Sequence, residues 1–196
     1  MLDPLPWQQN PYAAREQAVA LLQAETGPFG AFSAWFAQLS SDEFYEVDHR
    51  SVEKTTHNKW YLGHRRRSYY VWLHQYQSPA IFAQAGRFAA SVHNHRYAFC
   101  SLVLSGALTV TRFTIKDDDV AVPAETSVLG VGSTMSLSSD DVHRVDAVEK
   151  NTLTLLIQAH ESRHYSTRYR LADGSRDMIP DHTAQRAGLL ALLKRN

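Results

Sequence analysis

The chain has 196 residues, 44% of them hydrophobic and 20% charged, which fits a single globular domain large enough to bury a core. Twenty Lys and Arg balance twenty Asp and Glu, so bulk charge favours neither a nucleic acid nor a membrane surface as partner. A single cysteine excludes an internal disulfide, no apolar run approaches the roughly 20 residues of a bilayer span, and Met1-Leu2-Asp3-Pro4 lacks the basic start of a secretion signal, so the expected location is the cytoplasm.

Taken in order, residues 1 to 11 form a proline-bearing, irregular leader. Ala14, Ala18, Leu21 and Leu22 recur at helical spacing and predict a helix over 12–24, ended by Thr26-Gly27-Pro28. A second helix is expected over 29–38, with Phe32, Trp35, Phe36 and Leu39 capping the core. Residues 1–43 thus read as a helical extension and 44–196 as the main domain. From there the texture turns to short strands: Phe44 to Val47, Trp60 to Leu62, Ser68 to Tyr76, Ile81-Phe82, Phe88 to His95 and Phe99 to Ile115. Lys116-Asp117-Asp118-Asp119 reads as a solvated turn. Further strands are expected at Val120 to Val122, Thr126 to Val131, Thr134 to Leu137, Val142 to Val148 and Thr152 to His160. So many short strands with turn signals at near-regular spacing predict a mainly β, antiparallel sandwich or barrel. An amphipathic helix over 182–194 closes the chain, with Ala187, Leu190, Ala191 and Leu193 available for packing or a homodimer contact.

The chemistry concentrates at His93-Asn94-His95. Histidines at i and i+2 of an extended segment project from one face and can converge on one metal ion. A third candidate, His143, follows the acidic turn Ser138-Ser139-Asp140-Asp141 and enters an apolar run. Neutral imidazole suits first-row divalent metals, and three of them leave coordination positions open.

The pairing of these two segments resembles the two signature motifs of the cupin superfamily. Gly106, Gly132 and His143 fall at matching positions; Gly86 is one place early, and Ser138, Asp140 and Ala147 stand for the motif proline, glycine and asparagine. Phe99 occupies the place of the fourth, glutamate ligand, so three histidines remain. Within that superfamily the chain is most similar to the cysteine dioxygenase group, which combines His-x-His with a cysteine five residues on, here Cys100, and a third ligand in His-Arg-Val, here His143-Arg144-Val145. The likeness spans about residues 61 to 165. It implies an antiparallel double-sheet jelly-roll barrel with N-terminal helices and a C-terminal helix, and a mononuclear Fe(II) site, with Zn or another divalent metal as the alternative. It further implies dioxygen and a small thiol or amino-acid-like molecule as reactants.

The remaining candidates follow from that likeness. The run His64-Arg65-Arg66-Arg67 reads first as solvated edge charges; the likeness implies instead that one of its arginines holds a substrate carboxylate through a two-pronged hydrogen bond, Arg65 or Arg67 being the expected one. Tyr61, Gln158 and Cys100 are further substrate-binding candidates, although Cys100 also reads as a small buried hydrophobe. His160 stands where the family carries the tyrosine that is cross-linked to the cysteine in some members. It is therefore the candidate proton donor or acceptor, and Cys100 is expected to be free of a cross-link. Tyr165 and Tyr169 could supply a phenol from nearby, and His164 is open between pocket and surface. Gln158 and His160 depart from the family pattern, which leaves open a non-thiol, amino-acid-derived substrate of a specialised biosynthetic pathway, or a non-catalytic barrel that binds a small molecule.

Overall fold

The computed structural model describes residues 5–6, 10–24, 37–65, 68–85, 91–116, 120–160, 162 and 166–171. Most of the expected second helix, Arg66 and Arg67, the acidic turn at 117–119, His164, Tyr165 and the expected C-terminal helix lie outside those residues. Among the described residues, three helices, α1 (Pro11–Ala24), α2 (Ser41–Arg50) and α3 (Pro79–Gln84), accompany ten strands. The strands are β1 (Val52–Glu53), β2 (His57–Arg65), β3 (Tyr69–Tyr76), β4 (Phe99–Ser105), β5 (Leu108–Lys116), β6 (Val120–Leu129), β7 (Thr134–Leu137), β8 (Val142–Val148), β9 (Leu153–Ala159) and β10 (Arg170–Leu171).

One sheet runs β1-β2-β3-β9-β4-β7 and the other β10-β6-β5-β8; only β10 against β6 is parallel. The segment 91–95 joins the outer side of β8 through an antiparallel bridge between His93 and His143. Inside these sheets, β3-β9-β4-β7 faces a second set ordered 91–95, β8, β5, β6. From β3 onward the chain changes sheet at every step except the β5–β6 hairpin, the double Greek-key order of a jelly roll, as expected.

Strand alternation assigns the faces. On β4, Cys100, Leu102 and Leu104 point outward into a cluster with Ala14, Ala18 and Leu22 of α1, while Val103 belongs to an inner cluster with Leu108 and Val110. Ala14, Ala18 and Leu22 recur every four residues, so α1 lays a continuous stripe on the sheet. Its cover explains why β4 is buried almost throughout, on both of its faces.

Two expected strands are helices. Phe44 to Val47 lies inside α2, because Ser40 and Glu43 close a reciprocal capping box: the Ser40 hydroxyl accepts from the Glu43 amide and the Glu43 carboxylate accepts from the Ser40 amide. The aromatic residues that suggested a strand stay exposed, Phe44 at 43% and Tyr45 at 62%. Ile81-Phe82 lies inside α3, where Ser78 caps the N-terminus and Pro79 takes the first turn. Ser-Pro there starts a helix instead of merely breaking the preceding strand.

Gly106 makes the turn between β4 and β5 at φ +67°, and a Cβ there would lie 2.4 Å from Thr152 Oγ1 and 2.9 Å from Thr152 Cα. Thr152 cannot withdraw, since it is fully buried with its hydroxyl held by the carbonyls of Ala107 and Glu149. Gly106→Ala is expected to cost about 2–4 kcal/mol, adding left-handed strain to overpacking, as read from the urea unfolding midpoint.

Candidate metal centre

The three histidines meet through β-sheet arithmetic. His93 and His143 form a hydrogen-bonded antiparallel pair, each amide donating to the other's carbonyl at 3.0 Å, so their side chains leave the same face. His95 lies two residues on from His93 and returns to that face. Between them Asn94 turns the other way and is 2% exposed. Its Oδ1 accepts from the Thr167 amide at 2.7 Å and its Nδ2 donates to Tyr169 Oη at 3.3 Å. Asn94 therefore pins the segment that carries the two histidines, and Tyr169 spends its phenol on that brace.

The ring centroids form a near-equilateral triangle of 4.8, 5.0 and 5.0 Å. One ring nitrogen from each lies within 4.8 Å of the others. Nε2 of His95 and Nε2 of His143 are 2.8 Å apart, close to the ~3.0 Å that separates right-angle ligands at ~2.1 Å from one ion. Nδ1 of His93 lies 2.9 Å from the Ser91 carbonyl, an arrangement that places the proton on Nδ1 and leaves Nε2 for a metal. Nδ1 of His143, by contrast, is enclosed without an acceptor, so its ring lacks that outer support.

Burial, and then the neighbouring His93, push the His143 imidazolium down to about 3 and hold His95 well below its ordinary value. Both rings are thus neutral at physiological pH, the form that binds metals. This donor set fits a divalent cation. Because it carries no negative charge, a bound ion keeps its full charge for substrate.

The cluster opens on a cavity of about 120 Å³ between the two sheets. Phe99, Met135, Val145 and Leu156 make it largely apolar, and His57 and His74 enter it from the facing sheet. Sequence reading passed over those two histidines. They lie on β2 and β3 without a motif, and only the strand register shows that they share a face.

The other sequence candidates scatter. Gln158 is buried, and its Oε1 accepts from Lys59 Nζ at 2.9 Å. Lys59 also lies over the rings of Trp72 and Tyr97, at 4.2 and 5.5 Å. It was missed in the sequence, although alternation on β2 puts His57, Lys59 and Tyr61 on one face. Tyr61 bonds His64 Nδ1 and receives Arg50 Nη1 at 3.3 Å, farther along β2 and outside the cavity lining. His160 follows β9 and lies 4.7 Å from the Tyr70 ring, also outside that lining, with its Nε2 enclosed and unpartnered. Arg65 pairs with Tyr69 through β2, its side chain lying beyond the described residues together with Arg67.

Cys100 is turned away from the cavity. Its neighbours Phe99 and Ser101 line it, so alternation sends Sγ under α1, 3.3 Å from Ser136 Oγ. Burial pushes the thiol up from its ordinary value. The folded protein is expected to react with a thiol-specific disulfide reagent at least tenfold more slowly than the urea-unfolded chain.

No protein-family model matches the chain, and no curated protein matches its sequence. Solved structures that overlay on it include KdgF from a Halomonas species, at 15% identity over 57% of this chain and 86% of that one, with a TM-score of 0.43. Oxalate decarboxylase from Bacillus subtilis overlays at 12% identity over 61% and 29%, TM-score 0.42. DMSP lyase DddQ from Ruegeria pomeroyi does so at 11% identity over 71% and 58%, TM-score 0.42. This chain spans less than two thirds of the latter two, and with TM-scores below 0.5 none of these overlays assigns it an activity.

Proposed function

We propose that this chain is a metal-dependent, cupin-type enzyme: a mononuclear non-heme Fe(II) oxidoreductase that uses dioxygen on a small thiol or amino-acid-like substrate. The observation that carries the reading is the convergence of His93, His95 and His143 on one wall of a small, largely apolar cavity. A bound divalent ion would supply Lewis acidity and a place to bring two reactants together. The protein's part is to hold three imidazoles on a rigid sheet, to admit only a small molecule, and to exclude water with Phe99, Met135 and Leu156. Lys59, which acts electrostatically on His95, adds positive potential and favours an anionic substrate.

One observation favours a second reading within the same centre. Cys100 packs under α1 and Gln158 is bound to Lys59, so the surroundings that suit a thiol in the cysteine dioxygenase group are rebuilt here. A non-thiol amino acid or related carboxylate is that second substrate class.

The test is oxygen uptake by protein loaded anaerobically with Fe(II), offered small thiols, amino acids and short carboxylic acids in turn. Substrate-dependent uptake that disappears in His95→Ala is expected. Uptake with thiols selects the first reading, and uptake with non-thiols alone selects the second. Loaded protein that consumes no oxygen with any class contradicts both.

A further inference from the structure

The cavity wall facing the histidine cluster carries hydroxyls that the metal reading leaves unused. Phe99 and Ser101 line the cavity while Cys100 between them turns under α1, so the Ser101 hydroxyl points inward. Ser101 is 4% exposed, and among the described residues its Oγ has no hydrogen-bond partner. That oxygen is not sealed inside the wall: it keeps accessible surface, which in so buried a residue belongs to the cavity. The strand register extends the row. Val103 lies opposite Thr154 and Ser101 opposite Leu156, so Thr154 is a diagonal neighbour of Ser101 on the same face. Thr154 is 1% exposed and lies opposite His74, which makes Tyr76 its diagonal neighbour in turn, and the Tyr76 phenol interacts with it. All three hydroxyl-bearing residues line the cavity.

A buried hydroxyl without a partner is unfavourable, and one open to a cavity is completed by what the cavity holds. We propose that Ser101 and Thr154 form a receiving station for an alcohol hydroxyl, so that the site takes a small hydroxylated molecule whose other end lies at the three-histidine cluster. This deepens the reading of that cluster as a metal centre; the station stands without it, and only the place of the ligand's other end rests on it.

The chemistry of the row selects a neutral group. Burial pushes the Tyr76 phenol up to about 12, so it stays protonated beside Thr154. Serine and threonine hydroxyls each donate and accept, as an alcohol does, and they bring no charge to offset that of an ion. An alcohol also reproduces the hydrogen bonds of a water it displaces, which an apolar group cannot. Ser101 lies one strand repeat beyond Phe99, about 6.8 Å along β4. The Phe99 ring is 4.9 Å from that of His95, so a stem of about three carbons joins station and cluster. A cavity of about 120 Å³ admits little more, since an apolar cavity of about 150 Å³ holds a molecule of benzene's bulk.

The experiment titrates the metal-stripped full chain with 1-propanol and with 1-chloropropane, a probe of similar size without the hydroxyl. Ser101→Ala and Thr154→Val should each weaken 1-propanol by about tenfold and leave 1-chloropropane within about twofold. Ser101→Ala should also leave the urea midpoint of the ligand-free protein undiminished, because no protein group uses the hydroxyl it removes. Unchanged 1-propanol binding in both variants overturns the proposal. So does an equal loss of both probes, or a lowered midpoint in Ser101→Ala, since either marks a hydroxyl that serves the fold. Should Thr154→Val fail to fold, Ser101→Ala decides. Zinc-loaded wild type is then expected to bind 3-mercapto-1-propanol about tenfold more tightly than 1-propanethiol, a preference that Ser101→Ala erases. Equal binding of those two thiols to zinc-loaded wild type overturns the placement of the ligand's other end. Wild type that takes up no zinc would overturn the metal reading alone, with the 1-propanol result on metal-stripped protein still standing for the hydroxyls.

Discussion

His143→Ala is expected to lower metal affinity by about 100-fold or more, since even residues that only support a ligand are worth about 10- to 100-fold. The variant should purify with under a tenth of the metal that wild type carries. His143 is 3% exposed and joined to His93 by two backbone hydrogen bonds that do not involve its ring. Removing the imidazole therefore leaves the bridge intact, and circular dichroism should show an unchanged β content. His160→Ala is the matched control, because His160 lies against Tyr70 and away from the cluster. Equal metal content in wild type and His143→Ala would remove His143 from the ligand set.

The second large effect is acid lability of the metal-free protein. His57 is pushed down to about 4 and His143 to about 3, each chiefly by burial, while burial also holds His74 and His95 well below their ordinary value. The unfolded chain, with histidines near pKa ~6.5, binds protons that the folded chain refuses. Stability is therefore complete above about pH 6.5 and falls as the pH drops toward the folded values near 4 and 3. Each group contributes about 1.4 kcal/mol per pH unit, so the four together approach about 5 kcal/mol per unit near pH 5. Against a typical total of about 5–15 kcal/mol, that loss unfolds the protein in mild acid. The urea midpoint should drop steeply between pH 7 and 5, and His74→Phe should flatten the slope by about one proton. A midpoint unchanged over that range would show that these rings are not held neutral.

Much of the fold was legible because it obeys short-range rules. β7 and β8 match their expected limits, and Ala14, Ala18 and Leu22 form the stripe their spacing implies. The two helices taken for strands show where those rules compete. Aromatic enrichment at Phe44-Tyr45 alone pointed to a strand, while in the structure the Ser40–Glu43 capping box prevails and the aromatics remain exposed. The histidine cluster was legible because the i, i+2 spacing and a motif both pointed to it. Its exact pairing, His93 across from His143, is a long-range register that no local pattern encodes. The same limit hid His57 and His74, seventeen positions apart in sequence yet in ring contact, and Lys59 beside Gln158. Cys100 was misleading in the opposite way. Its spacing from His95 fits a known pattern, but the pleat of β4 turns its sulfur to the helix side.

The most direct test of the metal centre is anomalous diffraction at the metal absorption edge, from crystals of protein loaded anaerobically with one equivalent of Fe(II). The geometry predicts one strong peak per chain, within about 2.0–2.3 Å of a ring nitrogen from each of His93, His95 and His143. No peak at that position, or a peak held by other side chains while these three rings stay apart, would contradict it.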